Sequence, residues 1–223
     1  MEQGPGAQEV SDAVGGGGWR LLLGTLRTLV PVGSAARAVE VLAAAAAVCG
    51  DEADRRLHAD VRPGALLLAL VPPAGAGVGA AEVELARRIS AVLHGAGAAG
   101  EPRSVQLLEI GVDALDAAAV RPFWKAVLGY ADAPGADGPW DPLVDPAGRG
   151  PAVWFQRMER PRPQRNRLHL DVTVAHDEAQ RRVGAALAAG GRLVSAARAP
   201  AWWVLADPEG NEACVSTWRG RDG

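Results

Sequence analysis

The tetrapeptide Asp145-Pro146-Ala147-Gly148 returns 62 residues later as Asp207-Pro208-Glu209-Gly210, and each copy opens onto a short strand, Ala152–Met158 and Ala213–Trp218. Asp, Pro and Gly at these offsets are turn chemistry: a side chain that bonds its own backbone, a fixed φ and a residue free to take positive φ. The echo extends upstream. Glu109 in a strand is followed by Asp116 and a helix ending at Gly129; sixty residues on, His169 in a strand is followed by His176-Asp177 and a helix ending at Gly190. Each half therefore reads strand, helix, then two or three strands, an internal repeat of one supersecondary unit. The first helix carries Val120, Phe123, Trp124, Val127 and Leu128 at helical spacing, the second Val183 and Leu187. If the first begins at Ala117, Pro122 falls beyond its first turn, so a later start or a kink is expected.

The chain has 223 residues, 48% hydrophobic and 22% charged, with a formal net charge of −3. That length accommodates two domains. A mildly acidic chain has no overall electrostatic footprint for nucleic acid. The longest unbroken apolar run, Val41 to Cys49, is far short of a membrane span. Met1 to Gly6 lacks the pattern of a signal peptide, and two distant cysteines, Cys49 and Cys214, suit a reducing cytoplasm. Residues 1–18, ending in four glycines, are expected to be a disordered tail, and 94–103, rich in Gly and Ala, a linker. The expected domains are 19–93 and 104–219. In the first, Trp19 to Val30 reads as a strand pair. Ser34 caps a helix through Val48 that is apolar nearly all round and expected to be well buried. Val61 and Ala65–Val71 are strand material, and a second helix runs from Ala80 to Leu93.

Two βαβββ units, with FWKAVLGY (123–130), RLHLDV (167–172) and DPEGNEACV (207–215), resemble the glyoxalase/bleomycin-resistance/extradiol-dioxygenase superfamily, the vicinal oxygen chelate fold, and within it a glyoxalase-like subgroup. The resemblance covers 104–219. It implies an α+β fold whose paired units form a half-barrel around a cavity. Where such proteins hold a metal, ligands come from the first strand and a late strand of each unit. By spacing, these positions are Glu109 and His169, then Gln156 and Cys214. A divalent metal is thus a candidate cofactor, with Glu109 and His169 its best ligands. Gln156 is neutral and Cys214 stands where a carboxylate is usual, so less than one tightly held ion per domain is expected.

Strand alternation gives the same cavity face. His169, Asp171 and Thr173 lie opposite Leu168, Leu170 and Val172; Glu212, Cys214, Ser216 and Trp218 lie opposite Ala213, Val215 and Thr217; Trp154 and Gln156 share a face. Acids and an imidazole are costly to bury dry, so this face is expected to be open to water or a small-molecule ligand. His169 and Glu109 are the candidate general bases. Gln156, Asp171, Glu212 and Cys214 are candidate ligand contacts. Trp154 or Trp218 would supply stacking. Arg167, in the basic run Arg160, Arg162, Arg165 and Arg167, would hold an anionic group.

The first domain, through WRLLLGTL (19–26), the helix 34–48, DRRLHADV (54–61) and GVGAAEVELARRI (77–89), resembles pterin-4a-carbinolamine dehydratases. It is expected to pair an antiparallel sheet with helices on one face. The resemblance implies acid–base chemistry by three histidines, but Leu57 precedes His58 where a pair is required, and the third position falls near Pro72. The domain therefore reads as degenerate, kept for packing, homodimer formation or ligand binding. Three activities stay open: a lyase- or isomerase-type enzyme acting in the C-terminal cavity, a non-catalytic binder that sequesters its ligand there, and a pterin dehydratase.

Overall fold

The computed structural model describes residues 5–101, 105–162, 164 and 166–220. The chain divides into two compact units, 1–107 and 108–223. The first contains α1 (Ala7–Gly15), β1 (Arg20–Leu22), β2 (Thr25–Pro31), α2 (Ala35–Cys49), the single turn α3 (Ala53–Arg56), β3 (Leu57–Arg62), β4 (Ala65–Leu70) and α4 (Ala80–Gly95). Its sheet is antiparallel throughout, in the order β1-β2-β4-β3. Leu23 and Gly24 join β1 to β2 with positive φ at both positions, as a tight two-residue hairpin demands. Leu26, Val30, Leu66, Leu68 and Leu70 form a core with Val41 and Ala45 of α2 and Leu85, Ile89 and Leu93 of α4.

Three expectations for this unit are corrected. Residues 7–15 are helical, because Val10 and Val14, one turn apart, bury their side chains in the core at 1% and 2% exposure. The following glycines pack closely: a Cβ on Gly18 would lie 2.7 Å from the Gly100 carbonyl oxygen. Residues 94–101 belong to this unit, since the Glu101 N–H donates to the Leu29 carbonyl at 2.6 Å and the Arg37 guanidinium to that of Ala96 at 2.5 Å. The rest of the expected linker, and residue 104, lie outside the described residues. Finally, α2 buries one face only. Ala38, Val41, Ala45 and Cys49 point inward, whereas Val39 is 56% exposed.

The second unit contains β5 (Glu109–Ala114), α5 (Ala117–Leu128), β6 (Ala131–Asp132), β7 (Leu143–Val144) and β8 (Ala152–Arg157), then β9 (Leu170–Thr173), α6 (Ala179–Ala188), β10 (Arg192–Arg198), β11 (Trp202–Ala206) and β12 (Glu212–Ser216). The two halves give sheets of equivalent order, β5-β8-β7-β6 and β9-β12-β11-β10. In each, the first strand pairs in parallel with the last. Among the described residues neither sheet closes into a barrel, and the unit has the paired half-barrel architecture. Phe123, Trp124 and Val127 of α5 meet Val183 and Ala186 of α6 and the inner faces of both sheets in one core.

Local chemistry explains the helix ends. Asp116 caps α5, its carboxylate accepting the Ala118 N–H at 2.9 Å, and Gly129 ends it with φ 72°. The helix does start at Ala117 and contains Pro122. Pro122 and Ala118 both face solvent, so the carbonyl that loses its donor remains hydrated. In the second half the helix cap is Glu178, the residue after Asp177.

Candidate functional site

The second turn, at 207–210, anchors the site. Asp207 is fully buried, yet its carboxylate is satisfied: it accepts the Trp124 indole N–H at 3.0 Å, the Glu209 and Asn211 backbone N–H groups at 2.9 Å, and the Asn211 amide at 2.8 Å. Glu209 reaches into the other half, where its carboxylate accepts the Leu115 and Asp116 N–H groups at the start of α5. Such groups otherwise lack partners at a helix N-terminus. The first turn is built alike but stays local. Asp145 accepts the N–H groups of Ala147, Arg149 and Gly150. These donors, Ala147 first, hold its carboxyl below the ordinary aspartate range.

Strand register defines the two concave faces. Ile110 pairs with Val153 in the first half and Leu170 with Ala213 in the second, each member sixty residues from its counterpart. Gly111–Trp154 is therefore the counterpart of Asp171–Cys214, and Asp113–Gln156 that of Thr173–Ser216. This corrects the placement of Gln156 opposite Cys214 in the repeat: Trp154 holds that position. Gln156 lies two pairs further along, exposed, its amide donating to the Arg157 carbonyl at 3.3 Å. Trp154 lays its indole across Gly111, where a Cβ would come within 3.1 Å of the ring.

In the second half, His169 immediately precedes β9 instead of lying within it. Its Nδ1 is 3.1 Å from Asp171 Oδ1 and 3.7 Å from Cys214 Sγ. Cys214 is buried, while the side chains of His169 and Asp171 are 47% and 60% exposed. The imidazole therefore bridges a buried thiol and an exposed carboxylate.

A cavity of about 770 Å³ runs beside β5 and the segment leading into β9. Its polar lining includes Glu109, Asp113, Arg162, Arg167, His169 and Glu212; Ile110, Val112, Leu168, Leu170 and Trp124 add apolar surface. Such a volume accommodates a small organic molecule. Among the residues expected to form the site, the cavity gathers Glu109, Arg167, His169 and Glu212. Asp171 and Cys214 adjoin His169 Nδ1 without lining the cavity, and Trp154 and Gln156, on β8, are not part of its lining. Trp218 is apart, 63% exposed and in edge-to-face contact with His176. Arg165 lies outside the described residues. Sequence reasoning missed Asp113, Asn166 and Asn211, which also line the cavity. Asp113 was accessible from alternation, two positions beyond Gly111. It forms an ion pair with Arg162. Asn211 donates weakly to the Asp113 carbonyl at 3.4 Å and accepts from the Asn166 amide at 2.7 Å.

Residues 109–216 match a family described as a glyoxalase-like domain. Similar solved structures include a glyoxalase/bleomycin resistance protein/dioxygenase family enzyme from Burkholderia phytofirmans PsJN (21% identical, covering 51% of this chain and 98% of that one, TM-score 0.41). A glyoxylase/bleomycin resistance protein/dioxygenase domain from Frankia sp. EAN1pec is 16% identical, with 53% and 94% covered and a TM-score of 0.38. A mutant of the fosfomycin resistance protein FosX from Listeria monocytogenes, complexed with Mn(II) and 1S,2S-dihydroxypropylphosphonic acid, is 10% identical, with 50% and 88% covered and a TM-score of 0.39. No curated protein matches the chain. Within the glyoxalase-like domain, the cavity joins residues from both repeats, Glu109 from the first and His169 and Glu212 from the second.

Proposed function

We propose that the glyoxalase-like domain is an enzyme that binds a small anionic organic molecule and moves a proton on it, as a lyase or isomerase does. The observation that carries this reading is the convergence of Glu109, Arg167 and His169 on one cavity. Asp171, accepting from His169 Nδ1–H, leaves Nε2 with a lone pair, the form needed in a general base. Glu109 is the second proton-transfer group. Arg167 supplies a guanidinium for a carboxylate or phosphonate. In an isomerisation His169 removes a proton from carbon beside a carbonyl, and the proton returns at the neighbouring atom.

The first unit, we infer, is not a working pterin dehydratase. Leu57 faces the helices while His58 is exposed on the other face of β3. Glu82, at 2% exposure, is committed to structure: it pairs with Arg56 and accepts the Gly79 N–H at 2.8 Å, capping α4.

The experiment is turnover of a panel of 2-oxo acids, oxoaldehydes and dihydroxypropylphosphonic acid, followed by proton NMR with the intact protein. For any substrate found, His169→Ala or Glu109→Gln is expected to lower kcat by about 100- to 10,000-fold, the ordinary worth of a general base, with binding retained. Saturable binding without turnover, weakened only modestly by either substitution, would instead support a sequestering protein. Turnover of a pterin carbinolamine that is abolished by His58→Ala would overturn the assignment of the first unit.

A further inference from the structure

We propose that Asn166 and Asn211 are positioning residues of the cavity: the bond between their side chains holds Arg167 and His169 opposite Glu109, at the span that a substrate must fit. They are the chain's two asparagines, and they bond to each other, the Asn166 amide donating to Asn211 Oδ1 at 2.7 Å. Both line the cavity. Arg167 and His169 need such a hold. The paired register of β9 with β12 begins at Leu170, so the sheet ladder stops short of both. A tether on the residue just before Arg167 supplies what the ladder does not.

The tether has a fixed direction. The buried Asp207 carboxylate presents acceptors, so Asn211 turns Nδ2 toward it, 2.8 Å from Oδ2, while the Asn211 backbone N–H donates to Oδ1 at 2.9 Å. Asn211 Oδ1 is thereby left as an acceptor, which the donor of Asn166 meets and a carboxylate could not. The same Nδ2 reaches the Asp113 carbonyl of β5 at 3.4 Å, and the Trp124 indole of α5 shares the Asp207 carboxylate. Asn211 thus ties the segment that carries Arg167 and His169 to the strand that carries Glu109. The other turn lacks this device. Arg149 stands where Asn211 does, its N–H donating to Asp145 at 3.0 Å, and a guanidinium has no acceptor to offer.

This inference rests on the assignment of Arg167 to anion binding and His169 to proton transfer, and adds the pair that sets their span. Its first readout needs no substrate, so the two readings can fail separately. Nitrogen–proton spectra of the histidine rings are recorded on the intact protein, on Asn166→Ala and on the isosteric Asn166→Asp. The His169 signals are expected to shift in both variants, while those of His176, in the same unit, stay in place and urea unfolding remains cooperative. Arg162→Gln, which releases the pair with Asp113, should displace them less. The second readout is kinetic. For a substrate turned over in the panel, Asn166→Asp should lower kcat/KM by about 100-fold, the cost of misplacing reacting groups by about 1 Å. The loss should be divided between a higher KM, through Arg167, and a lower kcat, through His169. An unmoved His169 overturns the proposal, as does a shift confined to Asn166→Asp, a larger one in Arg162→Gln, or one shared with His176. So does unchanged kcat/KM. A panel without turnover defeats the enzyme reading and leaves the ring signals to decide this one.

Discussion

The two repeats of the glyoxalase-like domain share a backbone plan and differ in what they present to the ligand. Ile110–Val153 and Leu170–Ala213 occupy equivalent places and serve the same packing purpose. One pair along, the first repeat has Gly111 beneath the Trp154 indole, and the second has Asp171 beside Cys214 with His169 above them. Buried faces answer to one shared core, so they diverge little in character. The opposite faces diverge: one has become an aromatic platform and the other a cluster of polar groups, with Cys214 buried and Asp171 exposed. The turns show the same division of labour. Asp145 organises three backbone N–H groups nearby, whereas Asp207 also holds Trp124, and Glu209 caps α5 across the repeat boundary. Ala147, at the position equivalent to Glu209, has no side chain with which to reciprocate.

The largest expected contrast lies in those turns. Asp207→Ala orphans a buried indole N–H and two backbone N–H groups, each costing about 1–3 kcal/mol. The domain should lose at least about 3 kcal/mol in urea unfolding. Asp145→Ala, whose donors can reach water, should cost about 1–2 kcal/mol. Equal losses would mean that the two turns are interchangeable and that Asp207 does not tie the repeats together.

A smaller contrast concerns the concave faces. Gly111→Val places a Cβ against Trp154 and should displace the exposed indole, changing tryptophan emission while costing about 1 kcal/mol or less. Asp171→Ala, at the equivalent position, should alter stability by no more than about 0.5 kcal/mol. Unchanged emission in Gly111→Val would show that the ring does not rest there.

The smallest effect is in acid. Hydrogen bonding depresses the Asp145 carboxyl in the folded state, so its contribution is fully present above the unfolded value of about 3.9. It is lost as pH falls from there through the folded pKa. Asp145→Asn should therefore make stability less dependent on pH below about 4. An undiminished slope in that variant would place the acid sensitivity elsewhere.

Much of this domain was legible because turn chemistry and period-2 alternation are local. The paired Asp-Pro-x-Gly turns located the repeat, and parity put His169, Asp171 and Cys214 on one face. Gln156 was misplaced for an equally physical reason. Gln156 stands 58 residues before Cys214 whereas the paired strands repeat after sixty, and a two-residue slip preserves the face of every side chain. Alternation cannot detect it; only pairing can. In the first unit, composition outweighed spacing. The glycines at 15–18 suggested disorder, while Val10 and Val14, separated by one helical turn, carried the helix signal. Close contacts such as Gly18 on Gly100 depend on distant segments and leave no mark in local sequence.

The central claim is that ligand enters the cavity beside His169. The chain has four histidines, His58, His94, His169 and His176, so their imidazole signals can be resolved and assigned by substitution with glutamine. The deciding measurement is a nitrogen–proton correlation spectrum of these rings during titration with a 2-oxo acid. The account predicts that the His169 resonances shift to saturation, while those of His58 and His94 stay in place. Saturable binding that leaves His169 unmoved, or shifts confined to His58 and His94, would contradict it.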